Sequence, residues 1–361
     1  MLARRMGADA LGCVSTDGLF YSSEERLALV RNVLVERNTL QRAAHLRMLG
    51  ELHREDLRAL LRAGDGRSVG VKLLDLPLGM FLPSEPADMV AFAQHANHSV
   101  ADVKRAVASI LDADPDMGLR GCRIATFCPE ITEMQVRAVA CAVLDLLLED
   151  LPSNPPKILV PMLVTSHELQ HVLALVDRVG GEVRREYEQV HPQLAALASL
   201  PLFTVEALID TPRACLRAET LAACRGVSSV SLCSGQVTAL TFGCTRTDAE
   251  KFFPQYIYNK IYLADPFRSL DDMAVGTLLG EALRKCKGAH RGIQCSVIDE
   301  DHTSDPRSID FLASYGVDVL VCPPMRAPLA RLCAAQAEVR ASNKSAQEAM
   351  DQEEPYFLSF P

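Results

Sequence analysis

Tryptophan is absent from this sequence, and aromatic residues fill only 5% of its 361 positions. That scarcity excludes a base-stacking platform as its main working surface. No apolar run approaches the ~20 residues that a membrane-spanning helix needs. The opening MLARRMGADALG has basic residues but no apolar h-region, so it is not a secretory signal. The closing LSFP is not a peroxisomal tripeptide. None of the 12 cysteines pairs with another as C-x-x-C, which removes that zinc and redox signature. Scattered cysteines in a chain of this length imply buried, reduced thiols and a cytoplasmic setting, any organelle being reached through a partner. Basic charge is also short: 37 Lys and Arg face 46 Asp and Glu, a net charge of −9. A pI near 5.5 argues against nucleic acid and against anionic membrane as partners.

What is present suits a soluble globular chain. Hydrophobic residues make up 48% and charged residues 23%, enough to build a large core. Seven short apolar, β-branched runs read as buried strands: Ala10–Val14, Val69–Asp75, Ile158–Leu163, Thr204–Asp210, Ser228–Cys233, Gln294–Asp299 and Val317–Cys322. Between them Ser23–Val35, Pro129–Leu148, Ser166–Val179 and Ser269–Lys285 carry helical patterns. Gly64-Asp65-Gly66 and Ser153–Pro156 read as loops entering strands. Residues 1–337 read as one α/β unit, and 338–361 as a helix end and polar tail. Alternating βα units fit a parallel barrel one strand short, or a doubly wound open sheet. Periodicity does not choose between them.

Six phrases then occur in order: GADALGCVSTDGLFYSSEERLALVR, VGVKLLDLPLGMFLP, MGLRGCRIATFCPEITEMQVRAV, LIDTPRACLRAETLA, LTFGCTRTDAEKFFPQY and SDPRSIDFLASYGVDVLVCPPMRAPLARLCAAQA. Together they resemble the C-terminal phosphoenolpyruvate/pyruvate domain of the pyruvate, phosphate dikinase family, over roughly residues 1–337. The resemblance implies a (β/α)8 TIM-type barrel with its site at the C-terminal ends of the strands. It implies Mg²⁺ and phosphoenolpyruvate or pyruvate as ligands, a phosphohistidine domain supplied in trans, and a dimer contact made by this domain. It also places the family's first barrel strand ahead of the helix in which this chain starts. The expected barrel therefore lacks that strand, and an open edge would need a partner, an upstream segment or imperfect closure.

Carried over residue by residue, the implied site is heavily rewritten. Ser15 stands where the family has its first phosphate-binding Arg. Lys72 stands at the second, with Asp75 kept, and a Lys cannot form the bidentate fork of an Arg. Arg120, Gly121, Cys122 and Arg123 preserve the family's RGCR phrase. Asp210 replaces the Mg²⁺-binding Glu. Ser234 and Gly235 replace a Thr and an Asn at the substrate, and Gln236 replaces the second metal-binding Asp. Asp299 stands at the proton-donor Cys, with His302 kept. Each hydrogen bond to a charged partner contributes about 1.5–3 kcal/mol, so three losses remove on the order of 5–9 kcal/mol. A micromolar ligand binds with only about 8 kcal/mol.

Other signals compete. His167-Glu168-Leu169-Gln170-His171 matches H-E-x-x-H, with Glu188 or His191 as a third zinc ligand; a chance match at a helix start is the plainer reading. Asp299-Glu300-Asp301-His302 reads as a cation site or a solvated loop. Lys285, Lys287, His290 and Arg291 read as a solvated helix end, and Cys233 as a small buried residue. The expected function is a catalytically degenerate dikinase paralogue, a binding or scaffolding protein. It would pair with itself or with an intact dikinase, and it would need Mg²⁺ only if active. The alternatives are a Mg²⁺-dependent half-enzyme interconverting phosphoenolpyruvate and pyruvate, and a metal-dependent lyase or aldolase of the same barrel superfamily.

Overall fold

The computed structural model describes residues 2–149, 151, 154–197 and 199–353. All seven expected strands are present: β1 (Leu11–Ser15), β2 (Val69–Lys72), β3 (Lys157–Val160), β4 (Thr204–Ile209), β5 (Val227–Cys233), β6 (Gln294–Ile298) and β7 (Val319–Val321). They lie in one parallel sheet in sequence order, each beside the next. A doubly wound sheet needs a reversal of strand order. None occurs here, so the sheet is a nearly closed (β/α) barrel of seven strands.

Closure happens at the seam between β1 and β7. Among the described residues these two strands share no ladder, and they are the two half-exposed strands of the sheet. A register shift between Leu11 and Val14 puts a bulge into β1, and bulges bend the strand that carries them. Two glycines, Gly12 on β1 and Gly70 on β2, let the strands approach closely here. A Cβ on Gly12 would lie 2.6 Å from a γ-methyl of Val321 on β7, and one on Gly70 of β2 would lie 2.1 Å from the Gly12 carbonyl oxygen. The barrel is thus drawn together by side-chain packing where a strand pair would otherwise sit.

Strand alternation sorts the two faces. In β4, Val205, Ala207 and Ile209 pack into the main core under the helices, while Glu206 points inward. Glu206 is 2% exposed and bonds to Ser229, Ser231 and Lys157. This ionic plug fills the N-terminal end of the barrel, away from the site. A second core around Phe20, Leu78, Phe81 and Val103 underlies the long insertion between β2 and the helix Pro129–Leu148, which brings the 112–120 loop over the barrel mouth.

The third and fourth expected helices differ in their limits. The third helix runs past the expected Val179 to Val190, with Gly180 and Gly181 inside it. Phe203 packs where a Gly180 side chain would be. The fourth starts at Val275 rather than Ser269, because Asp271 accepts hydrogen bonds from the Ala274 and Val275 amides. The last helix, Ala327–Glu353, runs through residue 337 without a break. The expected tail beyond it lies outside the described residues, as does part of the 153–156 loop. No described helix is long and apolar enough to cross a membrane.

Candidate functional site

The C-terminal strand ends converge on one mouth. At the end of β2, Lys72 Nζ lies 3.1 Å from Asp75 Oδ2 and 3.6 Å from Asp17 Oδ2. Burial opposes its charge, but Asp75 and Asp17 outweigh that and hold the ammonium above the ordinary lysine range. Arg120 grips the same Asp75: Nη2 donates to Oδ2 at 3.0 Å, and Nε reaches Oδ1 at 3.2 Å and the carbonyl at 3.0 Å. Asp17 fixes the Asp75 backbone by accepting its amide at 2.8 Å. Two cations on different elements therefore converge on one internal carboxylate. Arg123, from the same phrase, donates instead to the Met117 and Gly118 carbonyls and so braces the loop.

Asp210 sits just past β4 at 2% exposure. Its Oδ2 accepts the Met162 amide at 2.6 Å, while Oδ1 is buried without a hydrogen-bond partner. Burial pushes its pKa up to about 7, with Asp75 adding to the rise, against the Met162 amide, Arg120 and Lys72. Met162 holds a left-handed φ of 58°, uncommon for a residue with a Cβ. The Asp210 bond pins it on one side. On the other, Cys122 donates to its carbonyl and Gly121 approaches too closely for any side chain.

At the end of β5, Ser234 is fully buried and lies 2.9 Å from His302 Nδ1. His302 Nε2 is 2.9 Å from the Pro266 carbonyl. A carbonyl only accepts, so Nε2 carries a proton there and Nδ1 is left to share a hydrogen bond with the Ser234 hydroxyl. Ser234 and His302 are thus bound to each other. Asp299, at the end of β6, uses Oδ1 to accept the Asp301 and His302 amides. Its Oδ2 faces the bare Cα of Gly235, where a Cβ would lie 2.5 Å away. Gln236 and Gly235 both line the mouth cavity of about 650 Å³.

The structure so brings together Lys72 and Arg120 on Asp75, with Asp210 near enough to feel its charge, and Ser234, Gly235, Gln236 and Asp299 across the mouth; Arg123 is turned to the loop and Ser15 donates to Asp17. It adds Arg246, which faces Asp301, Glu300 and Asp299, and Arg326, 2.6 Å from Asp301. Arg246 lies within the phrase LTFGCTRTDAE, so its signal was present; only its ion pairs were missing. The acidic run is therefore neither free nor merely solvated, because Asp301 holds two arginines. The H-E-x-x-H match lies at a helix start, as its plainer reading had it. Glu168 completes a capping box with Thr165 and also takes the Val164 amide, so its carboxylate is committed to starting a helix. Among the described residues no three His, Cys, Asp or Glu side chains are grouped to hold a metal ion. Cys233 has its thiol pushed up to about 12 by burial, which fits the unreactive reading.

Comparison with known proteins identifies a family. Residues 2–339 match the family model described as PEP-utilising enzyme, PEP-binding domain. A pyruvate, phosphate dikinase of Clostridium symbiosum is 32% identical over 335 residues, covering 93% of this chain and 37% of that protein. One of Giardia intestinalis is 32% identical over 340 residues, covering 94% and 37%. Pyruvate, phosphate dikinase 1, chloroplastic, of Arabidopsis thaliana is 33% identical over 339 residues, covering 93% and 34%. The chain spans about a third of the length of these relatives. A solved HpcH/HpaI aldolase/citrate lyase family protein of Burkholderia cenocepacia covers 97% of this chain and 98% of its own at 13% identity, with a TM-score of 0.38, too loose a likeness to carry an argument.

Proposed function

Because this chain belongs to the PEP-utilising enzyme family through its PEP-binding domain, we propose that it is a catalytically degenerate relative of the pyruvate, phosphate dikinase C-terminal region that serves as a binding or scaffolding protein. The observation that carries this reading is the closed Lys72–Asp75–Arg120 cluster. An incoming phosphoryl or carboxylate group must compete with a carboxylate already fixed at hydrogen-bond distance to both cations. A ligand gains little where its partner charges are already satisfied and desolvated.

The residues at the implied metal positions do not fit a resident Mg²⁺. Asp210 offers one free oxygen on a carboxyl whose pKa is near neutral, and Gln236 brings an amide where a second carboxylate would be required. Mg²⁺ demands near-octahedral oxygen coordination, keeps several waters and is held through one or two ionised carboxylates. The seven-stranded barrel keeps its helices and core, which leaves protein association, with a second copy or with an intact dikinase, as the retained role. One observation favours a surviving phosphotransferase half-reaction instead. A carboxyl poised near pH 7 with an unpartnered oxygen is suited to carry a proton.

Calorimetric titration with phosphoenolpyruvate, with and without Mg²⁺ and with an intact dikinase as control, separates the two. No heat and no thermal shift at millimolar ligand is the expected result. Micromolar, Mg²⁺-dependent binding would refute degeneracy and select the half-enzyme.

A further inference from the structure

We propose that the last helix is a self-association surface, on which the same helix of a second copy of this chain docks antiparallel. The proposal rests on the reading of the chain as an association protein and names its partner and its surface. The helix runs from Ala327 to Glu353 but meets the barrel along a narrow strip. Ala330, Cys333 and Ala337 are buried, the last two against Ile309, and Arg340 still reaches Asp310 at 2.6 Å. Residues 338–343 are all exposed, and the helix continues about 24 Å past Ala337 at its rise of about 1.5 Å per residue. The family match ends at residue 339, so most of this extension lies outside the shared domain.

Beside the buried strip runs an exposed apolar one. Leu329, Leu332 and Val339 are 46%, 56% and 59% exposed, at offsets that put them on one face. In the sequence the same alternation of three and four continues through Asn343, Ala346 and Met350, with Gln336 in the gap before Val339. Apolar residues in this register, with a polar one such as Asn among them, are the pattern of a coiled coil. A helix draws most of its stability from packing an apolar face, and a partner helix supplies that packing here.

Charge selects the partner and its direction. From Arg331 to Lys344 the helix carries Arg331, Arg340 and Lys344 against Glu338 alone; after that it carries Glu348, Asp351 and Glu353 and no cation. A second copy laid antiparallel sets the acidic end of each helix against the basic half of the other, whereas a parallel copy sets like charge on like. The antiparallel arrangement also opposes the two helix dipoles and closes as a two-fold dimer. The register that places Leu332 opposite Met350 of the partner subunit also places Arg331 opposite Asp351 of the partner subunit, and Glu338 opposite Lys344 of the partner subunit.

Sedimentation velocity of the full chain across a micromolar concentration range tests this. The wild type should show a monomer–dimer equilibrium. Val339→Glu, at an exposed position, should weaken the dimer about tenfold or more. Neutralising the acidic end with Glu348→Gln, Asp351→Asn and Glu353→Gln together should weaken it about threefold or more; tightening would overturn the antiparallel direction. Leu40→Glu, at 81% exposure on another helix, should leave it unchanged. A wild type that stays monomeric, or a dimer that Val339→Glu leaves equally tight, overturns the proposal. Heat from phosphoenolpyruvate in the calorimetric titration would overturn degeneracy and leave the dimer untouched, so the two failures are distinct.

Discussion

Closing a barrel with seven strands depends on Gly12, and substituting it tests the seam directly. In Gly12→Ala the new methyl would lie 2.6 and 3.1 Å from the two γ-carbons of Val321 and 3.4 Å from its Cβ. Val321 cannot rotate away cheaply, because a β-branched side chain is stiff at χ1, and the β1 backbone is braced by β2 through the Gly70 approach. Overpacking of this kind costs about 1–3 kcal/mol. Val321→Ala removes the obstructing methyls at a half-buried position and costs about 1 kcal/mol alone. The double variant should then recover about 1–2 kcal/mol relative to the sum of the singles, measured as a double-mutant cycle by urea unfolding. Gly18→Ala is the control. Nothing lies within 4 Å of its added carbon, so stability should stay within about 0.5 kcal/mol. Additivity of the Gly12 and Val321 substitutions would refute the seam as the device that closes the barrel.

Two other outcomes follow from the geometry. The folded-state pKa of Asp210, about 7, lies above its unfolded value of 3.8, so between those values the folded state binds a proton that the unfolded chain has released. Its contribution is fully present below about pH 4 and is lost as pH rises through 7; Asp210→Asn should gain on the wild type by on the order of 3 kcal/mol across that window, read by urea unfolding at pH 4.5 and pH 8, and parallel stability profiles would contradict it. Glu168→Ala should cost about 1 kcal/mol through the lost capping box, and zinc should leave the melting temperature of wild type and variant unchanged; a zinc-dependent rise in the wild type alone would reinstate the H-E-x-x-H reading.

Much of this protein was legible in its sequence because the relevant signals are local. Seven β-branched runs became seven strands within a few residues, since short buried strands are fixed by hydrophobic pattern and flanking turns. The helix Pro129–Leu148 matched end to end, because proline at a first turn is a strong start signal. The family resemblance placed Lys72, Arg120, Asp210, Ser234, Gly235, Gln236 and Asp299 at one mouth, the first three within the ordered phrases and the rest in segments between them, and the structure gathers them there. What the sequence could not decide are relations between distant residues. Nothing local says that Asp75 holds both Lys72 and Arg120, 45 residues apart along the chain for the second pair. Nor does it say that Asp210 keeps an unpartnered oxygen, or that Glu168 caps its helix rather than facing a metal. Barrel against open sheet was undecidable from periodicity, and strand order settled it. The closure at Gly12 and Val321 exists only once residues 309 apart in the chain are side by side. Hydrophobic period and turn chemistry act over a few neighbouring residues, whereas charge pairing, desolvation and close packing depend on which surfaces the fold brings into contact.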